Sequence, residues 1–141
     1  MEKNDLIRNI EFEVTNMGYT IWDVSIKGQG PNRRFAVFLD GRVGVNDCAK
    51  VSRSLSSSKI GNILEKGLLE VSSPGVEPVL TKLKHFQRWT GREVEFKLEK
   101  VSKSFFGILV SYNNCLVFQM KDGFFYIPFQ ALKMVKGLNR S

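Results

Sequence analysis

Two groups of residues in this chain have the types and spacing that anion binding needs. The first is Ser72-Ser73-Pro74-Gly75, directly behind the short run Leu68 to Val71. Pro74 fixes φ near −65° and Gly75 tolerates positive φ, so Ser73 to Val76 fits a type II turn. The hydroxyls of Ser72 and Ser73 and the backbone N–H groups of the turn, Gly75 included, are suited to phosphate oxygens. The turn has a structural reading as well, as a corner that sets the angle between two halves of the chain. The second group is Lys82, Lys84, Arg88 and Arg92, on a short helical pattern and the turn after it. Such a cluster either contacts RNA phosphates or is a solvated face.

Catalytic and metal chemistry find no comparable constellation. The only histidine is His85, and no adjacent motif supplies it with an orienting carboxylate and a nucleophile. Ser72-Ser73 lacks the G-x-S-x-G elbow, and "GQGPN" lacks the lysine and the following helix of a phosphate-binding loop. Cys48 and Cys115 lie far apart, each within an apolar pattern, which suits reduced core thiols rather than a disulfide or a zinc site. The expectation is a binding protein with no catalytic residues, no metal and no cofactor.

Charge sharpens that expectation. Residues 1–80 hold 10 Lys+Arg and 10 Asp+Glu, whereas residues 81–141 hold 11 and 4, so the whole formal charge of +7 belongs to the rear part. An asymmetry of this kind marks a polyanion partner, because phosphates attract Lys and Arg and binding releases condensed counterions. With 43% hydrophobic and 25% charged residues the chain is expected to fold rather than stay disordered. No apolar run approaches the roughly 18 residues that cross a bilayer, and "MEKNDLIRNIEFEV" is too acidic and interrupted for a secretion signal, so a cytoplasmic protein is expected.

The elements that must position these residues can be read from periodicity. Leu6, Ile7, Ile10, Val14 and Met17 recur at helical spacing, with Asn4 or Asp5 to cap the start and Gly18 to end it. Trp22, Val24 and Ile26 then alternate with polar residues, "KGQGPN" turns, and Phe35, Val37 and Leu39 alternate again. Asn46 or Asp47 can cap a second helix whose Cys48, Val51 and Leu55 share a face; "SRSLSSSK" loosens its end, and Leu68 to Ser72 reads as a third strand. The order α-β-β-α-β implies a two-layer sandwich over residues 1–80. In residues 81–141 a short helix, Thr81 to Thr90, turns Leu83 and Phe86 inward. Four strands, a helical turn at "PFQAL" and a last strand, "KMVKGL", follow. Asn113-Asn114 and Lys121-Asp122-Gly123 supply hairpin turns. A sheet this small covers its edges most simply by curling into an SH3-like or Sm-like β-barrel. The fold class is therefore α+β with two domains, and the chain is expected to be a monomer.

Aromatic residues crowd the rear part. Phe105-Phe106 and Phe124-Phe125-Tyr126 lie on strands, so adjacent rings face opposite ways and one set is expected in the core. Phe106 and Phe125 are assigned to the exposed set as a protein-docking surface. Core filling and stacking on RNA bases are the other uses open to these rings.

The run "LEVSSPGVE", together with "GYTIWDVSI", "DCAKVSRSL" and "HFQRWTGREVEFKL", resembles the RimP family of ribosome maturation factors. The likeness extends from Gly18 to about Leu138, with Glu70 to Gly75 its most specific block and Asp47-Cys48 before Ser52-Arg53 supporting it. It implies an N-terminal domain of KH-like shape followed by a small barrel. It further implies a non-enzymatic factor that binds the immature small (30S) ribosomal subunit, touching rRNA and, through the barrel, a small-subunit ribosomal protein near the decoding region. The pattern departs at one place: where the family has apolar, acidic, Arg, Pro, Leu, this chain reads Val76, Glu77, Pro78, Val79, Leu80, so a phosphate contact by that arginine does not carry over, and Lys82, Lys84, Arg88 and Arg92 just downstream could restore positive charge nearby. A general single-stranded RNA-binding module of the Sm or KH kind is the competing reading.

Overall fold

The computed structural model describes residues 1–139. The chain divides into two compact units, Met1–Gly75 and Val76 onward. It is mixed α+β, with a three-stranded and a five-stranded sheet.

The first unit follows the expected order with two short additions. Helix α1 (Lys3–Asn16) leads into β1 (Ile21–Lys27), a 3₁₀ turn (Gly30–Asn32), β2 (Arg34–Leu39), α2 (Val45–Ser57), the one-turn α3 (Gly61–Leu64) and β3 (Leu68–Ser72). β1 pairs antiparallel with β2, and β3 returns parallel to β2 through the α2 crossover, giving the order β1-β2-β3. Leu6, Ile10 and Val14 of α1 and Val51 and Leu55 of α2 close with Val24, Ile26, Phe35 and Val37 into one core. Both helices thus cover the same face of the sheet.

Three local expectations need correction. α1 begins at Lys3 behind Glu2, so neither Asn4 nor Asp5 is its cap. α2 is capped at Gly44, with Asp47 in its first turn rather than at the cap. Alternation in β1 breaks because a register shift between Ile21 and Asp23 inserts one residue. Ile21, Val24 and Ile26 consequently belong to the core, while Trp22 is buried outside that cluster. The serine-rich end of α2 is tied down: Ser58 Oγ donates to the Leu55 carbonyl at 2.7 Å.

The second unit contains α4 (Leu83–Trp89), β4 (Glu93–Leu98), β5 (Ser104–Ser111), β6 (Leu116–Met120), β7 (Gly123–Ile127), a 3₁₀ turn (Phe129–Ala131) and β8 (Leu132–Gly137). All ladders are antiparallel in the order β7-β6-β5-β4-β8. Val94, Phe96, Leu109, Leu116, Phe118 and Val135 are buried, with Phe96 stacked on Phe118 at 3.9 Å and 8° and on Phe105 at 5.5 Å. The chain after Gly75 seals the outer edge of β8. Val79 bridges Lys136, the Leu80 N–H donates to the Val135 carbonyl at 2.8 Å, and the Gly137 N–H donates to the Pro78 carbonyl at 2.9 Å. Among the described residues no ladder joins β7 to β8, so the sheet is not closed into a hydrogen-bonded barrel.

Candidate nucleic-acid interface

The basic cluster is built on α4. His85, Phe86 and Trp89 form its buried side. Phe86 faces inward as expected, but Leu83 is 58% exposed: it is the first helical residue, and His85 occupies the inner place there instead. The His85 Nδ1 accepts the backbone N–H groups of Thr81 at 3.0 Å and Lys82 at 3.2 Å. The sole histidine thus satisfies the N–H of the N-cap Lys82 and that of Thr81 just before the helix. Its Nδ1 is an acceptor, which puts the ring proton of the neutral tautomer on Nε2.

With that side buried, the cations fall on the other. Lys84 and Arg88 are one helical turn apart and share a face; Lys82 and Lys84 are exposed and Arg88 is half-buried. Arg92 is exposed beyond the helix, with its guanidinium 3.6 Å from the centroid of the Trp89 ring. The ring is fixed in turn, since Trp89 Nε1 donates to the Glu93 carbonyl at 2.8 Å. Arg92 is therefore held over an anchored indole, which leaves less side-chain entropy to lose on meeting an anion.

The Ser-Ser-Pro-Gly group lies in the first unit and the basic helix in the second. Ser72 ends β3 with its side chain exposed, and Ser73 is half-buried. Gly75 has φ +90°, the value the third position of a type II turn requires, and a Cβ there would meet nothing within 4 Å. Conformation and not space demands the glycine. The Gly75 N–H already donates to Ser73 Oγ at 3.0 Å, so that pair serves the turn itself. Pro78, at the position of the family's arginine, is buried.

The Asp47-Cys48 pair acts inside the fold. The Asp47 carboxylate accepts the Gly44 N–H at 2.8 Å and the Tyr19 hydroxyl at 2.6 Å, fastening the segment after α1 to the start of α2. The Gly44 amide first, and then the Tyr19 hydroxyl, hold the Asp47 carboxyl below the usual carboxylate range. The same hydrogen bond, more than burial, pushes Tyr19 up. Burial raises the Cys48 thiol, and both cysteines are free and half-buried.

The proposed docking rings are not brought together. Phe118, on the core face of β6, is paired with Leu109 of β5 and Phe125 of β7, which puts Phe125 on the core face of the sheet. Phe106 is three residues from Leu109, hence on the opposite face. Phe106 is 49% and Phe125 41% exposed. One expectation fails at β7. Phe124, Phe125 and Tyr126 are all exposed, so neither face of this edge strand supplies a core set. Alternation with the exposed Phe125 put Phe124 and Tyr126 in the expected core set, whereas they are 57% and 70% exposed.

Among the described residues no three His, Cys, Asp or Glu side chains are grouped to hold a metal ion, and no helix is long and apolar enough to cross a membrane.

Comparison with known proteins fits the motifs. Residues 9–77 match the family model of the RimP N-terminal domain, a span that holds both Asp47 and the Ser-Ser-Pro-Gly turn. A Rickettsia prowazekii (strain Madrid E) protein named ribosome maturation factor RimP is 35% identical over 98 residues, covering 65% of this chain and 83% of the relative. The chain belongs to the RimP family. Within that framework the matched span contains the turn and the α2 buckle, whereas the basic helix α4 follows it.

Proposed function

We propose that this chain is a ribosome maturation factor: a cytoplasmic, monomeric, non-catalytic protein that binds the immature small (30S) ribosomal subunit and assists its maturation without a cofactor. Membership of the RimP family carries the reading, supported by the name of the Rickettsia relative. The two compact units are read as its two domains, a KH-like front domain and an SH3-like or Sm-like barrel that stays open between β7 and β8. Lys82, Lys84, Arg88 and Arg92 are assigned to rRNA phosphates. The shared face of Lys84 and Arg88 on α4, with Lys82 and Arg92 flanking the helix, and the excess of basic residues after residue 80 favour that role over a neutral solvated face. Ser72, Ser73 and Gly75 are assigned to the same ligand, with the Gly75 N–H reached only after it leaves Ser73 Oγ. Phe106 and Phe125 are assigned to a small-subunit ribosomal protein near the decoding region; since they lie on opposite faces, they serve as two contacts and not one patch.

The test is pelleting of the purified chain with purified subunits. Retention by immature small subunits, with markedly less on mature ones, is the expected result. Equal retention on both would overturn the maturation reading, and a general RNA-binding module would then account for the binding.

A further inference from the structure

The five-stranded sheet has two unlike edges. That of β8 is sealed by Pro78 to Leu80, whereas among the described residues no strand pairs with the outer side of β7. The bare strand reads Gly-Phe-Phe-Tyr-Ile, and its three aromatics are 57%, 41% and 70% exposed. Phe124 pairs with Gln119 and Tyr126 with Val117, which places both rings on the face opposite the core residue Phe118. Two residues apart on one strand, they stand about 6.8 Å from each other along it. Gln119 and Lys121 are exposed beside them. β6 and β7 contain no acidic residue; Asp122 lies in the turn between them. From Val76 onward the chain holds 11 Lys+Arg against 5 Asp+Glu.

We propose that Phe124 and Tyr126 form a stacking platform for successive bases of single-stranded RNA. Exposed rings alone do not choose between a base and a peptide side chain. The basic balance of this unit and the lack of carboxylates on β6 and β7 favour a polyanion whose bases present flat faces; Glu93, in the same cross-strand row, lies beyond β6 and β5 from Phe124. Gln119, opposite Phe124, offers an amide to a base edge, and Lys121 offers a cation to the backbone. The contact is additional to the phosphate-binding role of α4. It depends on ring faces and so is sequence-tolerant, whereas α4 depends on charge.

The test uses the full chain and a fluorescein-labelled single-stranded RNA of about 8 nucleotides, within the site size of small nucleic-acid-binding barrels. Phe124→Ala and Tyr126→Ala are each expected to raise Kd about 5- to 150-fold, with the thermal unfolding midpoint and the salt dependence of binding unchanged. Tyr126→Phe keeps the ring and is expected to bind as the parent does. Unchanged affinity in both alanine variants, or no binding by the parent chain at low salt, would overturn the proposal. So would protection of β7 amides from hydrogen exchange by small-subunit protein but not by RNA, which would assign the edge to an extended peptide. Unchanged affinity in the alanine variants leaves the α4 contact and the retention on immature subunits as expected, so the two readings fail separately, whereas absence of all RNA binding would remove the α4 phosphate assignment as well.

Discussion

Neutralising the shared face of α4, by Lys84→Gln with Arg88→Gln, separates binding from folding because the two substitutions act oppositely on the helix. Lys84 is the second residue of α4, where a positive charge opposes the helix dipole; Arg88 is in the last turn, where it is favourable. On the helix dipole alone, removing the first returns about 0.3–1 kcal/mol and removing the second costs about as much, so the dipole leaves little net change in the double variant. Binding should respond quite differently. If all four cations of the cluster neutralise phosphates, the slope of log K against log salt is about −3, from roughly 0.7–0.9 per contact. Loss of two contacts should bring it near −1.6 and weaken binding at low salt. Titrations of RNA at several salt concentrations, with urea unfolding followed by circular dichroism, provide both readings. An unchanged slope would remove α4 from the interface, and a large loss of stability would show these side chains to be structural.

Three further outcomes test how the site is held. Gly137→Ala should destabilise the second unit by about 1–3 kcal/mol, because its Cβ would fall within 3 Å of the anchored Trp89 ring. Adding Trp89→Phe should recover part of that in urea melts, while strictly additive losses would refute the close approach. Gly75→Ala should cost about 1–2 kcal/mol despite the open space around it, since φ +90° is strained for alanine; an unaltered melting curve would contradict the turn. Asp47 has a lowered carboxyl pKa, so its contribution to stability is present above the unfolded value near 3.9 and is lost as pH falls through the folded one. Asp47→Asn should therefore flatten the acid limb of the first unit's stability profile, and Tyr19→Phe should flatten it partly. An acid limb as steep as the parent's would refute the buckle.

How much of this was legible in the sequence depends on how local the cause is. The faces of α1 and α2 follow from residues three and four apart, and Leu6, Ile10, Val14, Val51 and Leu55 are where periodicity puts them. The turn at Gly75 was legible because positive φ selects glycine. The register shift beside Trp22 was not, since an inserted residue leaves no compositional mark. Pairing of Val79 with Lys136 joins backbones remote in sequence, which no pattern of side chains specifies. The α4 cluster was visible as a run of charge. Its anchoring was hidden, because the capping by His85 and the stacking of Arg92 on Trp89 both depend on which side of a short helix the core covers. At β7 alternation was correctly seen but wrongly assumed to imply a covered face; an edge strand need not have one.

The proposed role places the chain on the small subunit before that subunit enters translation. Sedimentation of a cell extract through a sucrose gradient, with the chain detected in each fraction, tests it most directly. A maturation factor of this kind should be found in the free small-subunit fractions and be absent from intact ribosomes and polysomes. Equal recovery across all ribosomal fractions would contradict it.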